Sequence, residues 1–253
     1  MNPISKPIST RALTFVQVDK QENALRDSLR VEFGKFLPET FKENEELAYK
    51  VLNSPYLQQK MRGVLDQKYY IKLCKQDIYY CSEAIITLEI MLNRIKHSEY
   101  MLTLPELYKA VELRINGYKR VINVNLEITR MKIVEKVTPT ETMQKYAEHE
   151  RWVANLEDPI YALAALLPCY YLWPWFSKVI QESTNLERNP YKTWFEGNYN
   201  GDSSFNGARL LGGLIDKQLC RKTFDINEAK RVFKKSMEFE SDVFSDAYRE
   251  QYI

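Results

Sequence analysis

The sequence predicts an all-α fold, a bundle of long antiparallel helices around a proline-kinked central helix. Three observations carry that prediction. Apolar residues recur mostly at three- and four-residue intervals, the period of an amphipathic helix. Helix-start signals are frequent and well formed. Only 8 glycines occur in 253 residues, which disfavours turn-rich β architectures and phosphate-cradling loops.

The elements follow in order. Residues 1–30 show no clean period and read as an N-terminal arm; residues 31–253 read as one domain. Helices are predicted near 38–53, 66–97, 104–134, 138–155, 159–186, 189–199, 204–221 and 226–250. Asp66 is positioned to cap the second. Thr103, Pro105 and Glu106 give the third a cap hydroxyl, a proline in the first turn and a glutamate that reaches back. Thr138, Pro139 and Glu141 repeat this for the fourth, and Asp158 and Asp225 serve the fifth and the last.

The fifth helix is the unusual one. Residues 159–177 contain no charged side chain, so a membrane span has to be weighed. Pro168 and Pro174 interrupt the stretch and no second one exists, so it reads as the core helix of a soluble domain. Each interior proline lacks an N–H, which leaves the carbonyls of Ala164 and Tyr170 without their usual partner. A bend is expected there, with Cys169 just after the first, and bends open cavities inside bundles.

Composition narrows the function. With 36 basic and 34 acidic residues the net charge is +2, which gives no pull toward nucleic acid or an anionic membrane. The four cysteines, Cys74, Cys81, Cys169 and Cys220, follow no secretory signal and are expected as free thiols in the cytoplasm. Cys74, Cys81 and Cys220 read as structural. With only His97 and His149, and no CxxC or HExxH, no metal is expected; His149 beside Trp152 reads as a surface residue.

Polar groups nevertheless enter apolar helices at a few places. Asp77, Tyr80, Cys81 and Ala84 share one helical face, as do Cys169 and Trp173. Tyr146 precedes Cys169 on the neighbouring helix, and Glu240 lies one turn before Phe244. The run Glu238, Glu240, Asp242 suits a solvated face equally well.

At these residues the sequence resembles the thiaminase II (TenA) family. Ala164 to Cys169 reads AALLPC, and Gln76 to Tyr80 reads QDIYY, similar to the family's Q-D-x-x-[YF]. Tyr191 to Tyr199 resembles Y-x-x-W-I-x-x-Y with one extra residue, which leaves open whether Tyr199 or Asn198 points inward. Phe239 to Tyr248 resembles Y-E-x-x-F-W-x-x-A-Y. Order and spacing agree over about residues 38–250.

The resemblance implies a haem-oxygenase-like helical bundle that forms a homotetramer or dimer and needs no cofactor. It implies cleavage of the exocyclic methylene substituent of a 4-amino-2-methylpyrimidine, either thiamin or an aminomethylpyrimidine salvage intermediate. Cys169 would add to the ring, Glu240 would move protons at the ring nitrogen, and Asp77 would accept from the 4-amino group. Tyr80, Tyr146, Trp173 and Tyr199 would line the site. The chain departs from the family at Trp173, usually a tyrosine, and at Trp175, commonly a glutamate. Alternatives are a non-catalytic aminopyrimidine or thiamin binder, a same-fold enzyme acting on another flat heterocycle, and a purely structural helical assembly.

Overall fold

The computed structural model describes residues 34–249, apart from 98–104, 133, 135, 136, 157, 222 and 223. The predicted arm and the cap at Thr103 lie outside the described residues. Among these, every regular element is helical: α1 (Phe36–Glu43), α2 (Glu45–Leu52), α3 (Pro55–Met61), α4 (Gln67–Lys96), α5 (Pro105–Thr129), α6 (Glu141–Ala154), α7 (Tyr161–Ser183), α8 (Lys192–Asn198), a 3-10 turn (Asp202–Phe205), α9 (Asn206–Asp216) and α10 (Ile226–Ala247).

The helix predicted over 38–53 is two helices. Asn44 leaves the helical region and turns its side-chain amide back onto the Thr40 carbonyl, which ends α1. Ser54 then caps the short α3 through the Leu57 N–H, with Pro55 in its first turn, an element absent from the sequence reading. α5 stops before the expected 134 because Arg130 adopts a left-handed φ of 55° and Met131 N–H bonds back to Leu126 O. α6 is capped by Thr140, not Thr138: its hydroxyl accepts from Met143 N–H.

α7 is the spine. Every residue from Tyr161 to Pro168 is buried, so this half of the helix is enclosed on all sides, and the helix runs on through both prolines. It packs against α6, α8, α9 and α10 and touches α4. α4 pairs with α5 and α6, while α10 crosses α2, α3, α4, α6 and α7. Among the described residues no helix is long and apolar enough to cross a membrane.

α10 buries one stripe, Ala229, Val232, Phe233, Ser236, Met237, Glu240, Phe244 and Ala247, at three- and four-residue steps. Glu240 therefore occupies a core register. Asp242, two residues on, is exposed.

Candidate functional site

Four helices converge on one polar cluster inside the aromatic core. α4 contributes Asp77 and Tyr80, α6 Tyr146, α7 Cys169 and Trp173, and α10 Glu240. Gln76 fixes the α4–α6 geometry. Its amide donates to Thr138 O at 3.1 Å and its carbonyl accepts from Thr140 N–H at 2.8 Å, so the start of α6 is tied beside Asp77.

Glu240 is 3% exposed. Tyr146 Oη donates to its Oε1 at 3.2 Å and Trp173 Nε1 to its Oε2 at 3.4 Å. Burial raises the carboxyl pKa to about 7, against the hydrogen bonds from Trp173, Tyr146 and Cys169. Near neutrality this group both holds and releases a proton.

Asp77 is half-buried, and desolvation lifts it to about 6 although Asn125 and Cys81 hydrogen-bond to it. Asn125 Nδ2 donates to Oδ2 at 2.6 Å and Cys81 Sγ approaches Oδ1 at 3.6 Å. Cys169 is half-buried beyond Pro168. Desolvation first, then Glu240 and Asp77, hold its thiol well above the ordinary range, and a hydrogen bond with Tyr80 opposes them.

The cluster is walled by rings. Tyr80 and Tyr146 lie 5.0 Å apart between centroids, and Phe239 stacks on Tyr146 at 5.3 Å. Trp173 packs on Phe176, Trp194 and Phe244. Asp77, Cys169 and Trp173 are each half-buried, and the surrounding rings offer faces on which a flat ligand can stack.

Tyr199 stands apart from the other predicted residues. Its ring packs on Phe205 at 5.9 Å, and Phe205 in turn on Tyr171. Asn198 bonds back to Trp194 O. It is Trp194, within the same sequence motif, whose ring meets Trp173 at 5.7 Å. Trp175 faces Phe41 and Tyr49.

Three polar residues escaped the sequence reading, and a fourth was placed differently. Asn125 anchors Asp77. Glu150, one turn beyond Tyr146, accepts from Tyr80 Oη at 2.8 Å; its i+4 spacing was the available signal. Lys60 is fully buried, with Nζ 3.2 Å from the Trp194 ring centroid and 4.5 Å from that of Tyr70. Desolvation lowers its pKa well below the ordinary lysine value, against the pull of Cys74 and Asp77. Finally, His149 is not the surface residue expected: it is half-buried between Trp152 and Phe239, and burial lowers it to about 4.

Cys74 and Cys81 are buried as expected, whereas Cys220 is exposed, and all four cysteines are free. Among the described residues no cluster of three or more His, Cys, Asp and Glu is placed to hold a metal.

This arrangement has relatives. A TenA homologue from P. horikoshii superposes with a TM-score of 0.67 at 22% identity, covering 85% of this chain and 98% of its own. A TenA family transcription regulator from a Silicibacter species gives 0.72 at 16% identity, with 85% and 97% covered. A TenA homologue from Pyrococcus furiosus gives 0.67 at 19% identity, with 84% and 100% covered. These likenesses establish the fold. In sequence, the thiamine biosynthesis multifunctional protein ThiED of Corynebacterium glutamicum is 26% identical over 130 residues, 51% of this chain. That match spans only 17% of the relative's length. The profile of the TENA/THI-4/PQQC family matches residues 55–251, which contain every helix of the site, and the chain belongs to that family.

Proposed function

We propose that the chain is a hydrolase that removes the exocyclic methylene substituent of a 4-amino-2-methylpyrimidine, thiamin or an aminomethylpyrimidine, to give hydroxymethylpyrimidine. The observation that carries this reading is Glu240, a buried carboxyl poised at about 7 beside the Cys169 thiol. Adding sulfur to an aromatic ring requires a proton on the ring nitrogen, and a neutral carboxylic acid supplies it.

In this scheme Glu240 gives its proton to the ring nitrogen as the Cys169 Sγ–carbon bond forms, and the thiol proton returns to Glu240. Asp77 accepts from the 4-amino group. The substituent leaves the methylene with its bonding pair, water adds there, and the sulfur departs as the ring regains aromaticity. The ring is the electron sink, so the scheme calls on no cofactor. Family membership and the thiamine-biosynthesis name of one relative support the substrate class. The free cysteines suit a reducing compartment, and we place the reaction in the cytoplasm, in a homo-oligomer.

Trp173 favours a second reading, a pyrimidine binder without turnover. Its indole N–H can only donate, where a tyrosine hydroxyl also accepts. Incubation with thiamin and with 4-amino-5-aminomethyl-2-methylpyrimidine, with chromatographic detection of hydroxymethylpyrimidine, decides. Product from either substrate is expected, and none from Cys169→Ser. Retained pyrimidine binding without product selects the binder. Full activity in Cys169→Ser removes the nucleophile from the scheme.

A further inference from the structure

Asp77 is held by two donors. Asn125 reaches across from α5, 6% exposed, and its side-chain N–H donates to Oδ2 at 2.6 Å. Cys81, one turn further along α4 and buried, brings its thiol to Oδ1 at 3.6 Å. Among the described residues these two alone hydrogen-bond to the carboxyl. Four further groups face it at longer range: the Lys60 amine from α3, the Cys74 thiol on α4, the Cys169 thiol from α7 and the Glu240 carboxyl from α10.

The nature of the two donors decides what Asp77 can still do. Each carboxylate oxygen carries two lone pairs and gives one to the protein, which leaves acceptor capacity and no hydrogen. An amide N–H at 2.6 Å favours the ionised form, because a bond to a charged oxygen is the stronger one. Gripped on both oxygens, the carboxylate cannot turn to present another edge. Asn125 does this without adding charge: burial still outweighs the two hydrogen bonds, and Asp77 titrates at about 6.

We propose that Asn125 is a positioning residue that sets the selectivity of the site: it holds Asp77 as a hydrogen acceptor, so that a 4-aminopyrimidine is taken and its 4-oxo counterpart is turned away. This rests on the aminopyrimidine reading above and adds a choice within that class. The 4-amino group brings a hydrogen to a remaining lone pair of Asp77. A 4-oxo group brings only lone pairs, and two acceptors then face each other out of water. The selection holds while Asp77 is ionised. As pH falls through about 6 the carboxyl takes a proton and becomes a donor, and the preference for the amino group fades. Asn125 touches neither the pyrimidine nor Cys169 in this scheme; it acts through Asp77.

Asn125→Leu removes the donor, and Asn125→Asp keeps the shape while putting an acceptor in its place. Carbon-13 carboxyl NMR, assigned with Asp77→Asn, follows Asp77 directly. Its titration should move up by about one pH unit or more in both variants. Calorimetric titration at pH 7 with hydroxymethylpyrimidine and its 4-oxo analogue then reads the selectivity. Wild type should bind the amino compound about tenfold or more tightly than the oxo compound, and in both variants that ratio should shrink severalfold. Glu240 and the ligand's ring nitrogen titrate in every one of these proteins, so comparison at one pH isolates Asp77. An unmoved Asp77 titration or an unchanged ratio overturns the proposal, as does a wild type that favours the oxo compound. If wild type binds neither compound, the aminopyrimidine reading falls and takes the selectivity with it. Absent turnover with the amino preference intact removes only the hydrolase and supports this proposal. Should Asn125→Leu not fold, Asn125→Asp carries the test, since it leaves the shape unaltered.

Discussion

Trp173 is the residue that divides the proposed hydrolase from the proposed binder. It takes one Glu240 oxygen with a donor that cannot accept in return. Replacing it with tyrosine shortens the side chain and restores a hydroxyl that both gives and takes a hydrogen. We expect Trp173→Tyr to raise kcat severalfold at unchanged Kd for the pyrimidine, measured by single-turnover product formation. Unchanged kcat would show that the indole is not what limits the reaction. Cys169, with its thiol held high by burial, should be alkylated by iodoacetamide more slowly than a free cysteine at pH 7, and faster in Glu240→Gln, where a neighbouring negative charge is gone. Individual residues were unequally legible. Asp77, Tyr80, Tyr146 and Cys169 lie in patterned segments and come together in space. Glu240 sits in an acidic run, and only its alignment with Phe233, Met237 and Phe244 separates it from solvated neighbours. Asn125 and Lys60 carry no local signal at all, since what makes them interior is the partner helix.

At the scale of single helices, the join between α4 and α6 sets the site. Gln76 clamps the α6 start with two hydrogen bonds, one of them to a backbone N–H that would otherwise be an orphan. Gln76→Ala should cost about 1–3 kcal/mol in urea unfolding, and lower turnover beyond what the lost stability explains, because Tyr146 moves with α6. Thr140→Ala removes only the cap and should cost about 1 kcal/mol; if it impairs turnover as much as Gln76→Ala, the clamp has no special role. Helix starts were readable where a side chain caps locally, as at Asp66 and Asp225. The Thr140 start was misplaced by two residues because two threonines compete and the Gln76 contact, 64 residues away in sequence, favours the second. The break at Asn44 and the left-handed Arg130 turn are likewise settled by backbone geometry that composition does not announce.

For the molecule as a whole, the buried carboxyls set the pH response. Glu240 shifts from 4.5 to about 7 on folding, and Asp77 from 3.8 to about 6. Both bind more protons folded than unfolded, so stability contributed by the neutral forms is lost as pH rises, from about 4 to 7. His149, lowered to about 4, acts in the opposite sense below pH 6.5. Glu240→Gln should therefore raise Tm at pH 8 relative to wild type, by an amount corresponding to about 3 kcal/mol at most, and change little at pH 4. A Tm gain equal at both pH values would mean that the carboxyl charge is not its source. Helical class and the buried character of α7 were legible because local period and composition decide them.

The order in which the helices join the spine has a consequence for synthesis. α7 can begin to bury its apolar half against α6 and α4 as soon as those segments exist, but Glu240 arrives with α10, the last described helix. On the proposed chemistry, a chain emerging from the ribosome therefore displays its cysteine before it carries the acid that would work with it. On the proposed scheme the pyrimidine chemistry awaits docking of α10, which brings Glu240 beside Cys169.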